Sequence, residues 1–109
     1  MSPRLSIAEL NDMLRVSFLT GTVMRTRGIM ELPDDVRQRV HQSMRLFEDF
    51  TPDNDPYGEH DFGSFEDPDA GTIFWKIDYY DKELQNGSPD PQDPAVTERV
   101  LTIMLADEY

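Results

Sequence analysis

The strongest constraint on the fold is a pair of strand-like segments in the middle of the chain. Residues 72–81 read TIFWKIDYYD, in which Ile73, Trp75 and Ile77 alternate with a mixed set of neighbours. A second run rich in aromatic residues, EHDFGSFE, spans residues 59–66, and five turn-forming residues, DPDAG, separate the two. The pattern predicts a β-hairpin whose second strand packs its odd-numbered face against helices.

The register of this hairpin decides which of its acidic residues face outward. With regular pairing around the turn, His60 lies opposite Asp78, and Phe62 points away from Trp75. A bulge at Gly63, a common role for a glycine in a strand, shifts the pairing by one residue. We prefer the bulged register because it collects the aromatic residues on one face. It predicts the following pairs: Phe62 with Trp75, Asp61 with Lys76, and Glu59 with Asp78.

Helices are predicted on both sides of the hairpin. Ser6 and Glu9 form a capping box at the start of a helix over residues 7–19. The other predicted elements are a strand near residues 22–27, a helix over 33–48 that begins at Pro33, and a final helix from Pro94 through Met104 with Asp93 as its cap. The order α-β-α-β-β-α predicts a single acidic α+β domain over residues 1–109, with residues 1–5 disordered. We expect an antiparallel sheet of about three strands with helices packed on one face.

The charge of the chain is strongly asymmetric. The formal net charge is −12, yet residues 1–47 carry seven arginines against five acidic residues, whereas residues 48–109 carry seventeen acidic residues against three basic ones. Affinity for nucleic acid comes from lysine and arginine contacts to phosphate, so this acidity argues against direct binding of DNA or RNA. A basic protein surface or a cation is the partner that the charge predicts.

Several classes of protein are excluded by what the sequence lacks. Without cysteine, the chain has no disulfides, no thiolate metal site and no cysteine nucleophile. The N-terminal segment lacks the apolar run of a signal peptide, and no segment has the roughly 18 apolar residues that a membrane span needs. No glycine-rich phosphate loop or dinucleotide fingerprint is present, so no cofactor is predicted. The expected location is the cytoplasm.

A catalytic or metal-binding role is the alternative that the hairpin leaves open. Glu59, His60, Asp61 and Asp78 have the side chains that a small enzyme or a divalent-metal site uses, and carboxylates held close raise one another's pKa. A calcium-binding loop begun at Asp53 fails, because position 57 is tyrosine and position 64 is serine where ligands belong. No standard catalytic or metal motif is found, so none is assigned.

The leading prediction is an acidic surface that binds a partner. Acids on one face of a strand recur about every 6.7 Å, whereas each DNA strand carries a phosphate about every 3.4 Å, so several elements would have to contribute to any mimicry of DNA. The predicted partner-binding residues are Asp53, Asp55, Glu59, Asp61, Glu66, Asp67, Asp69, Asp78, Tyr80 and Asp81.

The chain also resembles a family of short bacterial proteins of unknown function, over about residues 9–109. The motifs that carry the resemblance are LNDMLR, VMRTRGI, LPDDV, FTPDNDPYGEHDFGSFE, IFWKIDYYD and GSPDPQDPAVTERVLTIMLADEY. The resemblance implies a place on plasmids and other mobile elements, sometimes near genes that resist host restriction, and it supplies no activity, cofactor or catalytic residue. We therefore expect a non-enzymatic inhibitor of a nucleic-acid-targeting defence system, of the restriction or CRISPR type, acting as a monomer or homodimer. A plasmid accessory protein with another protein partner is a third possibility.

Overall fold

A four-stranded mixed sheet with helices on one face forms the fold. The computed structural model describes residues 4–109, and the predicted disorder of the N-terminus falls largely on residues outside that range. The elements in chain order are α1 (Ile7–Ser17), β1 (Thr22–Arg25), α2 (Arg27–Met30), α3 (Asp34–Arg45), β2 (Phe62–Asp67), β3 (Gly71–Tyr80), β4 (Glu98–Leu105) and a 3₁₀ turn (Ala106–Glu108). No helix in this part of the chain is both long and apolar enough to cross a membrane.

The predicted α+β class is confirmed, but the sheet differs from the prediction in two respects. It has four strands in the order β1-β4-β3-β2, and β1 runs parallel to β4 while the other pairs are antiparallel. The prediction of about three antiparallel strands is therefore corrected. The extra strand is β4, where a final helix was expected.

β4 lies inside the sheet, between β1 and β3, and apolar side chains on both of its faces are buried. Leu101 and Ile103 face the helices, while Val100 and Met104 are buried on the opposite face. A strand buried on both faces shows no simple alternation, and its apolar residues can fall at helical spacing by chance. Pro94, predicted to begin a helix, lies in a turn before the strand.

The hairpin has the regular register, so the predicted bulge at Gly63 is wrong. Gly63 lies opposite Trp75, and Phe62 opposite Lys76, without interruption down to the turn. A Cβ atom at Gly63 would lie 2.5 Å from Nε1 of Trp75, so the glycine makes room for the indole ring. The predicted pairs of Asp61 with Lys76 and Glu59 with Asp78 fail for the same reason, and the Asp61 carbonyl instead accepts the N–H of Ile77.

The core lies between the sheet and the helices α1 and α3. The odd-numbered residues of β3 (Ile73, Trp75, Ile77) are buried there, as the alternation predicted, against Leu14 of α1 and Met44 of α3. Both helices begin close to the predicted residues, and Ser6 and Glu9 make the two reciprocal bonds of the capping box, each 3.0 Å. The helices thus cover one face of the sheet and leave the other open.

Candidate functional site

The open face of the sheet contains the largest cavity among the described residues, with a volume of about 680 Å³. Its floor is formed by side chains on the face away from the helices, from β3 (Lys76, Asp78, Tyr80) and from β4 (Val100, Thr102). We call it the open-face cavity. Since no helix packs on this side, the cavity opens directly to solvent.

The floor of the open-face cavity combines an ion pair with apolar surface. Lys76 Nζ lies 3.1 Å from Asp78 Oδ2, and both side chains are partly exposed. The two residues are on the same strand and the same face, so the pair is set by the period of the strand. Its walls are largely apolar: Met24 of β1, Leu84 of the turn after β3, Tyr109 at the end of the chain, and Met104 farther along β4. A polar pair within apolar walls is the usual composition of a binding site.

The C-terminal turn forms one wall and is fixed by Glu108. The Glu108 carboxylate accepts hydrogen bonds from Thr26 Oγ1 at 2.5 Å and from the Gly28 N–H at 2.8 Å, and these bonds lower the pKa of Glu108. A Cβ at Gly28 would lie 2.5 Å from a methyl group of Leu105 and 2.7 Å from Glu108 Oε1, so a larger residue there would have to displace both side chains. The turn is thereby held against α2.

Aromatic packing closes the rest of the open face. Tyr109 contacts both Phe62 and Phe74, with ring centroids 6.1 and 5.4 Å apart, and Phe62 in turn lies 5.7 Å from Phe74. Edge-to-face contacts at such distances favour association of the rings. The aromatic residues over β2 and β3 are thus covered by the C-terminal turn, and only the part of the face over β3, β4 and β1 remains open.

Two of the predicted partner-binding residues, Asp78 and Tyr80, line the open-face cavity, and Asp81 lies next to them. Asp81 caps the turn after β3 by accepting the N–H of Gln85 at 3.0 Å, a bond that lowers the pKa of Asp81. This turn carries Leu84, which forms another wall of the cavity. One predicted group of residues is therefore brought together here.

A second group of predicted residues lies away from the cavity, where the loop enters the hairpin. Asp55 is buried and accepts the backbone N–H groups of Glu59 and His60, which fixes the turn. Burial raises the pKa of Glu59, and nearby Asp61 adds to the effect; the pKa of Asp61 is raised by burial and by the charges of Asp55 and Asp78. Carboxylates are thus crowded at this point, although not on the open face.

His60 is held in place by contacts that the sequence did not indicate. Its backbone has a positive φ of 54°, its Nδ1 lies 3.0 Å from a carboxylate oxygen of Asp12, and its ring stacks on Phe50 at 3.9 Å. Among residues 4–109, no three histidine, aspartate or glutamate side chains come together in a group that could hold a metal ion.

The remaining predicted residues have separate positions. Asp67 is buried and receives two hydrogen bonds from Arg39, which also bonds Asp69. Glu66 accepts a hydrogen bond from the Thr72 hydroxyl on the neighbouring strand. Asp53 is exposed in the loop before the hairpin. Most of the predicted acids thus serve the fold or lie apart from one another.

A buried polar network beneath the helices was also missed by sequence reasoning. Asn11, fully buried, donates to the Tyr79 hydroxyl at 2.8 Å and to the Glu59 carbonyl at 2.9 Å, and it accepts a bond from Arg99 at 2.9 Å. Burial raises the pKa of Tyr79 and lowers that of Arg99. Only the position of Asn11 on the apolar side of α1, between Leu10 and Leu14, hinted at this role.

Three side chains that line the open-face cavity were missed by sequence reasoning for a different reason. Thr102 and Met104 belong to β4, which the apolar spacing suggested to be a helix, and Met24 lies on the parallel strand beside it. If β4 were a helix outside the sheet, these side chains would not be expected to lie near Asp78. Had residues 98–105 been predicted as a strand, the residues of the cavity could have been identified from the sequence.

Comparison with known proteins places the chain in a family. A family model matches residues 25–108, well over half of the chain and most of the segment whose motifs carried the resemblance. No curated protein and no solved structure matches it. The chain therefore belongs to the family described as "Protein of unknown function (DUF3768)".

Proposed function

We propose that this is a small, acidic, non-enzymatic protein that binds a basic segment of a protein partner in the open-face cavity. The observation that carries the proposal is the uncovered sheet face, which combines exposed apolar side chains with carboxylates. Protein surfaces that leave contiguous apolar area in solvent commonly serve as interaction sites. The partner is expected to insert apolar side chains between Met24, Leu84 and Tyr109.

The charge around the cavity favours a basic partner. Asp78 and Glu108 line the cavity. Asp81 and Glu98 lie at one end of it, where β3 ends and β4 begins. Lys76 and Lys82 only partly offset these acids, since Lys76 pairs with Asp78 and Lys82 lies 3.7 Å from Glu98. Long-range attraction from a chain of net charge −12 would also steer a basic surface toward it.

The proposed partner is a protein subunit that binds foreign nucleic acid. Effectors that cut or silence foreign nucleic acid carry basic grooves, and a small acidic protein that occupies such a groove would block them. We propose such a subunit, from a restriction or CRISPR-type system in the cytoplasm, as the target. A location on plasmids or other mobile elements, which the family resemblance implies, gives such an inhibitor its selective advantage.

The experiment compares plasmid survival in cells that carry an active defence system, with and without the gene. The informative variant is Met24→Lys, which places a positive charge at the wall of the cavity, and its matched control is Met30→Lys. Met24 is 54% exposed and Met30 is 55% exposed, but only Met24 lines the cavity. We expect the wild type and Met30→Lys to raise survival and Met24→Lys to lose that effect.

Two results would contradict the proposal at different levels. Unchanged survival with the wild-type gene across several defence systems would remove the inhibitor function. Equal protection by both lysine variants would show that the partner is bound elsewhere than in the open-face cavity. Circular dichroism of the purified variants is the control for folding.

A further inference from the structure

A second surface, on the helical side of the molecule, is distinguished by two arginines without acidic partners. The chain has ten lysines and arginines and 22 acidic residues, and most of the basic side chains pair with a carboxylate. Among the described residues, Arg25, Arg45 and Arg99 have no carboxylate within 4.0 Å. Arg99 is buried in the polar network, so Arg25 and Arg45 are the two at the surface that remain.

These two arginines lie together around one aromatic ring. The guanidinium carbon of Arg45 is 4.1 Å from the centroid of the Phe18 ring, and that of Arg25 is 5.7 Å from it. The ring of His41 meets Phe18 edge-on at 5.7 Å, and its Nε2 accepts a hydrogen bond from Arg25 Nε at 3.0 Å. The contacts hold both guanidinium groups at one position at the end of α1 and α3.

Among the described residues, neither arginine has a carboxylate within 4.0 Å, although Asp12, which pairs with Arg15, and Glu48 line the same small cavity as Arg45. Burial lowers the pKa of His41 to about 4, with further lowering by Arg25, Arg45 and Arg37, so the ring is neutral at pH 7. The carbonyl groups at the end of α3 could have offset the charge, but Arg15 already bonds those of Met44, Arg45 and Phe47. Arg25 and Arg45 therefore keep their charges available to a partner.

Exposed aliphatic side chains surround the pair. Leu19 follows Phe18 and is 85% exposed, Leu46 follows Arg45 and is 68% exposed, and Val16 lies one turn earlier on α1 and is also exposed. Large apolar side chains this exposed beside two unpaired arginines are typical of an interaction site. We call the set Arg25, Arg45, Phe18, Val16, Leu19 and Leu46 the arginine–phenylalanine surface.

We propose that the arginine–phenylalanine surface binds an acidic protein segment that also carries apolar side chains. Two guanidinium groups suit carboxylates, with which arginine forms paired, charge-assisted hydrogen bonds. The aliphatic side chains suit apolar residues between those carboxylates. Of the two acids that line the cavity beside Arg45, Asp12 is paired with Arg15 and Glu48 is unpaired. Since exposed charges are largely screened beyond about 8 Å at physiological salt, a short segment meets two unpaired arginines against one unpaired acid.

A nucleic acid fits this surface less well. Binding to DNA depends on many phosphate contacts, each made by a lysine or arginine, and only two unpaired arginines are present here. The aliphatic side chains would also gain nothing from a phosphate backbone. Arg25 lies on the helix-facing side of β1, so this surface and the open-face cavity are on opposite sides of the sheet. The protein would then join an acidic partner to a basic one.

The experiment measures fluorescence anisotropy of a labelled peptide in which glutamates alternate with leucines. We expect the wild type to bind it, and the double variant Arg25→Ala/Arg45→Ala to bind about tenfold more weakly or worse, given the strength of charge-assisted hydrogen bonds. The matched control is Arg4→Ala/Arg27→Ala, which removes the same charge from two exposed arginines that pair with acids elsewhere. Leu19→Ser provides a variant that leaves the core intact, and it should also weaken binding.

Three results would overturn this proposal. They are absence of binding by the wild type, an equal loss in both double variants, and binding of labelled oligothymidylate with the same dependence on Arg25 and Arg45. A lysine–leucine peptide serves as the probe of opposite charge and should not require these arginines. The lysine–leucine peptide also probes the open-face cavity, whereas the glutamate–leucine readouts do not involve that cavity, so they are independent of the proposed inhibitor function.

Discussion

Trp75 is fully buried, and its indole ring lies directly against the backbone of Gly63 on the neighbouring strand. Its Nε1 has no hydrogen-bond partner among the described residues, so packing alone fixes the ring. Phe47 and Phe50 meet it edge-on from the helical side, and the Arg15 guanidinium lies 5.4 Å from its centroid. A ring held on every side cannot move to accommodate an extra atom, which makes the residue opposite it decisive for the hairpin.

Gly63→Ala should therefore destabilise the protein by about 1–3 kcal/mol, the range expected for overpacking a rigid core. The added Cβ would lie 2.5 to 2.7 Å from three atoms of the indole ring. Urea unfolding followed by fluorescence of Trp75, the only tryptophan in the sequence, measures the loss directly. Gly87→Ala is the control, because its nearest non-neighbouring atom is 4.0 Å away. Equal stabilities for the two variants would show that the glycine is not needed for space.

Sequence patterns correctly predict the helices and strands that have one buried and one exposed face. α1, α3 and β3 each expose their other side, so their periodicity is visible, and the capping residues Ser6 and Glu9 mark where α1 begins. β4 buries apolar side chains on both faces, so these residues do not alternate with polar ones, and their spacing was interpreted as that of a helix. The predicted partner-binding residues were chosen from their positions in the sequence. Position alone does not show that a carboxylate points inward, as Asp55 does to cap a turn and Asp67 does to pair with an arginine.

One such carboxylate joins two elements. Asp67, at the end of β2, receives hydrogen bonds from Arg39 of α3 at 2.8 and 2.9 Å and from the N–H groups of Asp69 and Ala70. These bonds hold the pKa of Asp67 well below its usual range, and the pKa of Arg39 is raised correspondingly. The pair fixes α3 to the turn of the hairpin.

Asp67→Asn should lower the urea midpoint at pH 7, and the loss should shrink in acid. The folded-state pKa of Asp67 lies below that of an unfolded aspartate, about 3.9. Its contribution to stability is therefore fully present above that value and is lost as the pH falls through the folded-state pKa. The measurement is urea unfolding of both proteins from pH 7 down to about pH 2, with exposed Asp53→Asn as the control. A difference between Asp67→Asn and wild type that stays constant over this whole range would contradict the assignment.

The whole molecule carries its charge unevenly, and this has a cost for stability. Of the acidic side chains, Glu48, Asp49, Asp53 and Glu83 are exposed and make no side-chain hydrogen bond or ion pair among the described residues. Repulsion among such groups opposes the compact state, and salt screens exposed charges far more than buried pairs such as Arg39 and Asp67. These four acids therefore add nothing to the stability of the fold, and their charge adds to the long-range field that the proposed basic partner would meet.

Salt should accordingly stabilise the protein, by about 1 kcal/mol between roughly 0.05 and 0.5 M NaCl, since the Debye length shortens over this range from well above to below the spacing of surface charges. The quadruple variant Glu48→Gln/Asp49→Asn/Asp53→Asn/Glu83→Gln should be more stable than the wild type at low salt and respond less to added NaCl. Urea unfolding at several salt concentrations measures both effects, and sucrose, which strengthens burial without screening charge, serves as the control. If salt left the wild type unchanged or destabilised it, repulsion among the surface acids would not limit its stability. Attractive contacts within the fold would then have to account for the acids, and their charge would give no support to a basic partner.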